Sequence, residues 1–170
     1  MGVMVEHEYD AFVLHNAEGK DLAFVQEMAS ILEGPKYNFR LFLPWRDLQA
    51  TEQFETEVLA QIMTKRCSCA VVVISPNLLQ SDVTSFLLSL IHSKYPSGRN
   101  SKLIPIQIES CELPAILQSV TVCDFTKIDM RCWVWQRMAT SLRMATAKTV
   151  SRRPLFRCQG GLPDILRGTK

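Results

Sequence analysis

Apolar residues in this chain follow two rhythms: short solid runs of strand formers, and stretches in between where they return every three or four positions. The run Ala70-Val71-Val72-Val73-Ile74 is too short to cross a membrane and lies between Arg66 and Ser75-Pro76. It predicts a central parallel strand with helices on both faces. Ser75 then caps the following helix and Pro76 takes its first position, where a missing N–H costs nothing. Tyr9 to Leu14 predicts a first strand, and Leu22, Val25, Met28, Ala29 and Leu32 predict the helix after it, with Gly34-Pro35 as a left-handed cap and stop. In the second strand Phe39, Leu41 and Leu43 alternate with Arg40 and Phe42, which suits a sheet edge.

Pro44 to Ala50 shows little periodicity and reads as a connection. Thr51 is the expected cap of a helix that buries Phe54, Val58, Leu59, Ile62 and Met63, with acids at its start and Lys65 and Arg66 at its end to suit the macrodipole. The helix after the central strand carries Val83, Phe86, Leu87, Leu90 and Ile91 on one face and stops at Tyr95 to Gly98. Leu103 to Ile108 predicts a fourth strand whose Pro105 lacks a ladder donor and argues against a central place. A helical turn at Leu113 to Leu117, a fifth strand at Val120 to Phe125 and a last helix capped by Asp129 and burying Trp135, Met138 and Leu142 complete the order. Five β-α units with right-handed crossovers imply an α/β, flavodoxin-like doubly wound sheet of five parallel strands, order 2-1-3-4-5, with helices on both faces.

At 170 residues and 47% hydrophobic content the chain suits one core. It divides into an extension (1–8), a domain (9–146) and a tail (147–170). The tail holds six basic residues against Asp164 alone, a net +5, which leaves −3 for the first 146 residues out of the overall +2. The domain therefore has no positive field for nucleic acid, and the Gly- and Pro-containing basic tail reads as disordered. Six cysteines (Cys67, Cys69, Cys111, Cys123, Cys132, Cys158) show no metal-ligand spacing, so free thiols in a reducing compartment are expected. With no signal-peptide core and no membrane span, the expected location is the cytoplasm.

Catalytic motifs are missing. His15-Asn16-Ala17-Glu18-Gly19 offers one glycine where a dinucleotide loop needs three, there is no Walker A loop, and the third strand ends in Ile74-Ser75 rather than the aspartate of a phospho-receiver. Cys67 and Cys69 lie beside Lys65 and Arg66 without an evident base, and buried thiols are the better reading. Trp133 and Trp135, near Arg131 and Arg137, could stack on nucleobases, but tryptophans at this spacing more often belong to a core. No catalytic residue, cofactor or metal site is assigned.

Three local patterns carry a family resemblance. Tyr9-Asp10-Ala11-Phe12-Val13, Arg46-Asp47 and Trp133-Val134-Trp135 resemble the three boxes of the Toll/interleukin-1 receptor (TIR) domain, with Val134-Trp135 where Phe-Trp is usual. Phe24-Val25-Gln26-Glu27-Met28, Lys65-Arg66-Cys67, Leu103-Ile104-Pro105-Ile106 and Thr121-Val122-Cys123-Asp124-Phe125-Thr126 extend the likeness from about Tyr9 to Leu142, and it is nearest to the family's cytosolic signalling adaptors. The family tolerates a proline in the fourth strand. Its BB loop, after the second strand, normally has Pro-Gly following Arg-Asp, whereas Leu48-Gln49-Ala50-Thr51 is shorter and has neither.

The resemblance implies an innate-immune interaction module that binds TIR domains of Toll-like or interleukin-1-type receptors and of other adaptors, and that self-associates. By analogy the contact residues are Trp45, Arg46, Asp47, Leu48 and Gln49 in the BB loop and Arg131 and Arg137 on the last helix. The plainer alternatives are a loop-stabilising Arg46-Asp47 pair and solvated arginines. Some TIR domains hydrolyse NAD with a glutamate in the helix after the third strand; Leu87 stands there, so a non-enzyme is expected and an NAD hydrolase is the alternative. The adaptors also carry a death domain, absent here, which implies a fragment or a decoy.

Overall fold

In the computed structural model, residues 7–49, 55–94 and 102–146 are described. Five parallel strands, β1 (Tyr9–Leu14), β2 (Leu41–Phe42), β3 (Cys67–Ile74), β4 (Leu103–Gln107) and β5 (Cys123–Asp124), form one sheet in the order β2-β1-β3-β4-β5. This is the expected flavodoxin-like topology. Every residue of β3 is buried, as a doubly covered central strand requires. Its odd residues Cys69, Val71 and Val73 pack with helices α1 (Gly19–Leu32) and α7 (Arg131–Ala145), and its even residues Ala70, Val72 and Ile74 pack with α3 (Thr56–Lys65) and α5 (Asp82–Lys94). The period of two along the strand thus builds both cores.

Three shorter helices join these elements: α2 (Pro44–Asp47), α4 (Pro76–Leu79) and α6 (Ala115–Gln118). Ser75 does cap α4, its hydroxyl accepting from the Leu78 amide at 3.2 Å, and Pro76 begins the helix. The Ser75 hydroxyl also donates to the Asp21 carboxylate, a wholly buried pair that ties the first turn of α1 to the end of β3.

Several expectations are corrected. Gly34 is not left-handed; in this turn the positive φ belongs to Asn38 (54°), and a Cβ at Gly34 would sit 3.0 Å from the Ser30 carbonyl oxygen, a tight contact. The stretch after β2 is helical at Pro44–Asp47 rather than irregular. The helix expected to follow β3 without interruption breaks after one turn, and α5 restarts at Asp82 with Thr84, Leu87, Leu88 and Ile91 buried and Phe86 49% exposed. Asp129 lies in a 3-10 turn (Ile128–Met130) and does not cap α7. The Thr51 cap, Phe54, the Tyr95 to Gly98 stop, most of residues 1–8 and the tail lie outside the described residues.

Pro105 sits inside the sheet, paired with Val72 of β3. Backbone groups of successive strand residues point to opposite neighbours. The Ile108 amide bonds to Ile74 and the Gln107 carbonyl accepts from Phe125, so the ring nitrogen of Pro105 faces the β5 side, where pairing starts only at Ile106. No ladder bond is lost.

Candidate protein-interaction site

The loop after β2 is held by charge. Arg46 directs its guanidinium back at α1, donating from Nη1 and Nη2 to the Glu33 carboxylate at 2.7 and 2.9 Å. Nε and Nη2 also reach Asp47 at 2.9 Å each, and Nη2 reaches the Leu41 carbonyl at 2.8 Å. Asp47 in turn accepts from the Leu43 amide at 2.8 Å, satisfying a donor at the start of α2. Glu33 also accepts from the Leu41 amide at 3.2 Å. These carboxylates push the Arg46 pKa still higher, Glu33 first and Asp47 second.

The polar atoms of Arg46 and Asp47 are therefore spent within the domain, while Trp45 between Pro44 and Arg46 is 43% exposed. Trp45 forms one wall of a shallow groove of about 520 Å³ between α1 and α2, with Gln26, Ser30, Glu33 and Leu43 on the other sides. Leu48 is half-buried against the α3 and α5 core and Gln49 is exposed. Glu33 was not singled out from sequence. The signal was present: an acid at a helix C-terminus opposes the dipole and calls for a cation from elsewhere.

Arg131 and Arg137 lie in the first half of α7, which packs on β5 at the other edge of the sheet; Arg137 is exposed and close enough to lower the Cys123 pKa against the upward push of burial. The helix then crosses the face, bringing the Arg143 guanidinium 5.9 Å from the Tyr37 ring centroid. The structure does not join the two expected surfaces into one; β2 with α2 marks one sheet edge and the start of α7 the other. Trp135 is a packing residue, stacked on Phe24 (5.9 Å, 7°) and edge-on to Phe125 (4.6 Å, 62°). Trp133 is 62% exposed and adjoins Ile128 and Met130 in sequence, exposed at 76% and 49%.

Among the described free cysteines, burial raises the pKa of every thiol. Burial pushes Cys67 up to about 12 and raises Cys69 as well. Cys67, Cys69, Cys111 and Cys123 are free, but Cys132 is disulfide-bonded, contrary to the expectation of free thiols throughout. Leu87 is fully buried in the core shared by α3 and α5.

A TIR-domain family model matches residues 12–142. The chain belongs to the TIR domain family. Among solved structures, the TIR domain of the Toll-related receptor TRR-2 from Hydra magnipapillata superposes with a TM-score of 0.65 at 20% identity, covering 79% of this chain and 98% of that one. A metazoan TIR-STING receptor from C. gigas, in complex with 2′,3′-cGAMP, gives a TM-score of 0.65 at 21% identity, over 80% of this chain and 40% of that one. A second structure of a metazoan TIR-STING receptor from C. gigas gives a TM-score of 0.60 at 20% identity, over 80% of this chain and 40% of that one. The TIR domain thus spans about two fifths of the TIR-STING chains, and at these identities the likeness is one of fold. Among the described residues no helix is long and apolar enough to cross a membrane.

Proposed function

We propose that this TIR domain is a non-enzymatic signalling module that binds other TIR domains, those of Toll-like or interleukin-1-type receptors and of partner adaptors, and that within the family it resembles the myeloid differentiation primary response adaptor. The observation that carries this reading is Trp45, a large exposed aromatic on a loop already fixed by the Glu33–Arg46–Asp47 set. An anchor held in place before binding loses little conformational freedom on docking, and interface energy concentrates in such aromatics. The second surface, Arg131 and Arg137 with exposed Trp133, lies at the opposite sheet edge. Two different patches on opposite edges favour head-to-tail assembly, in which weak contacts gain strength by repetition.

A cytoplasmic location follows from this reading. The non-enzyme part draws on Leu87, whose buried alkyl chain can neither polarise a ribose nor stabilise a developing cation. The test pairs two measurements on the same protein. Pull-down with receptor and adaptor TIR domains should succeed and be lost in Trp45→Ala, while incubation with NAD should release no nicotinamide. Nicotinamide release that disappears on mutation of a named acid such as Asp82 would overturn the reading in favour of an NAD hydrolase.

A further inference from the structure

Because the strands are all parallel, the chain enters each of them at one end of the sheet and leaves at the other. The two ends of the central pair, β3 and β4, carry opposite charge. Lys65 and Arg66 lead into β3 and Lys102 leads into β4, while Glu109 and Glu112 follow β4 and Asp82 opens α5 beyond β3. Arg66 is met by Glu8. Asp82, Glu109, Glu112 and Lys65 are exposed, and none of them has an ion-pair partner among the described residues. The acids are neighbours in space, since Val83 beside Asp82 and Cys111 and Leu113 on either side of Glu112 pack against the same core. An acid at a helix start and a base at a helix end suit the macrodipole, which accounts for Asp82 and Lys65. It does not account for Lys102, Glu109 and Glu112, which lie in connections.

The eight residues of β3, at about 3.3 Å each, hold these two patches roughly 25 Å apart. That exceeds the Debye length of about 10 Å at 0.1 M salt, so within one chain the patches do not neutralise each other. We propose that the Lys65/Lys102 end of one copy docks on the Asp82/Glu109/Glu112 end of the next, stacking domains along the strand axis. The contact joins two different patches, so it is head-to-tail and does not close. A second copy suits the basic end better than an anionic membrane does. Residues 1–146 carry a net −3, which such a membrane repels, whereas the acidic end offers complementary charge. Trp45 and the start of α7 lie at the lateral edges of the sheet, so this contact is separate from those surfaces and does not rest on them.

The experiment is sedimentation of the full chain carrying Trp45→Ala, which removes the lateral contact. Its mass should rise past the dimer with concentration at about 0.01 M salt, where the Debye length is about 30 Å, and fall to monomer at about 1 M, where it is about 3 Å. In that background Glu109→Lys/Glu112→Lys and Lys65→Glu/Lys102→Glu should each weaken self-association at least about tenfold at low salt, because like charges then meet. Mixing the two should restore it, since one chain then has two basic ends and the other two acidic ends. Lys65→Glu alone, at an exposed helix end, replaces the second variant if that variant melts early. A chain that stays monomeric at low salt, a mass that stops at the dimer, or a mixture of folded variants that stays monomeric would overturn the proposal. Association that survives Lys65→Glu/Lys102→Glu would place the cations elsewhere in the chain and overturn it too. So would binding to phosphatidylserine vesicles that this variant loses, which would give the basic end to a membrane.

Discussion

Removing the Arg46 side chain should cost stability before it costs binding. Arg46→Ala deletes a two-point ion pair to Glu33, a second to Asp47 and a bond to the Leu41 carbonyl. The three side chains are 35%, 29% and 18% exposed, so solvent screens the pairs. Taken at the upper end for exposed pairs, each is worth about 1 kcal/mol. The carbonyl bond adds about 0.5–1 kcal/mol, for a total of about 2–3 kcal/mol. At roughly 2–4 °C per kcal/mol for a chain of this size, the melting temperature should fall by about 5–10 °C. Arg46→Lys keeps the charge but not the planar fork and should recover less than half of the loss. The assay is calorimetry of both variants and of Glu33→Gln, with the Arg46/Glu33 double-mutant cycle giving a coupling of about 1 kcal/mol. If Arg46→Ala melts within about 1 °C of wild type yet no longer binds, the network is not structural and Arg46 is a contact residue.

Four further outcomes are expected. Trp45→Ala should weaken TIR binding by roughly 2 kcal/mol with a nearly unchanged melting temperature; a large drop in that temperature would make Trp45 a core residue. Ser75→Ala should destabilise by about 2–3 kcal/mol in urea unfolding, because it removes a cap and strands the buried Asp21 carboxylate. Leu87→Glu should lose at least about 3 kcal/mol in the same assay and gain no NAD cleavage, since it replaces core packing with an unpaired buried charge. Burial holds Cys67 at about 12 against an ordinary 9.0, so the unfolded chain ionises first: this contribution is complete below about pH 9 and is lost as pH rises toward 12. Urea midpoints from about pH 8 to about pH 10 should therefore fall, and fall less in Cys67→Ala/Cys69→Ala.

What was legible in the sequence was what is local. The β3 run, the Ser75-Pro76 start and the spacing of Leu22 to Leu32 each depend on neighbours in the chain, and strand order followed once the amphipathic second strand was given an edge. What was missed depends on distant groups or on phase. Glu33 meets Arg46 only because α1 and α2 come together. The expected face of α5 includes Phe86 because it follows apolar identity alone, whereas the structure buries the polar Thr84 with Leu87, Leu88 and Ile91 and leaves Phe86 exposed. Pro105 looked like an edge marker because sequence cannot say which neighbour a strand residue's amide faces. At the candidate site, Arg46 and Asp47 were found by pattern, but the pattern could not show that their charges are met within the domain.

The sheet ends on both sides in strands of two residues, β2 and β5. A strand that brief offers too few free amides and carbonyls to template another chain. Copies of this domain cannot zip into a continuous cross-strand ribbon, the route by which parallel sheets become permanent fibres. Whatever assemblies it forms must be mortared by side chains, and should come apart on dilution.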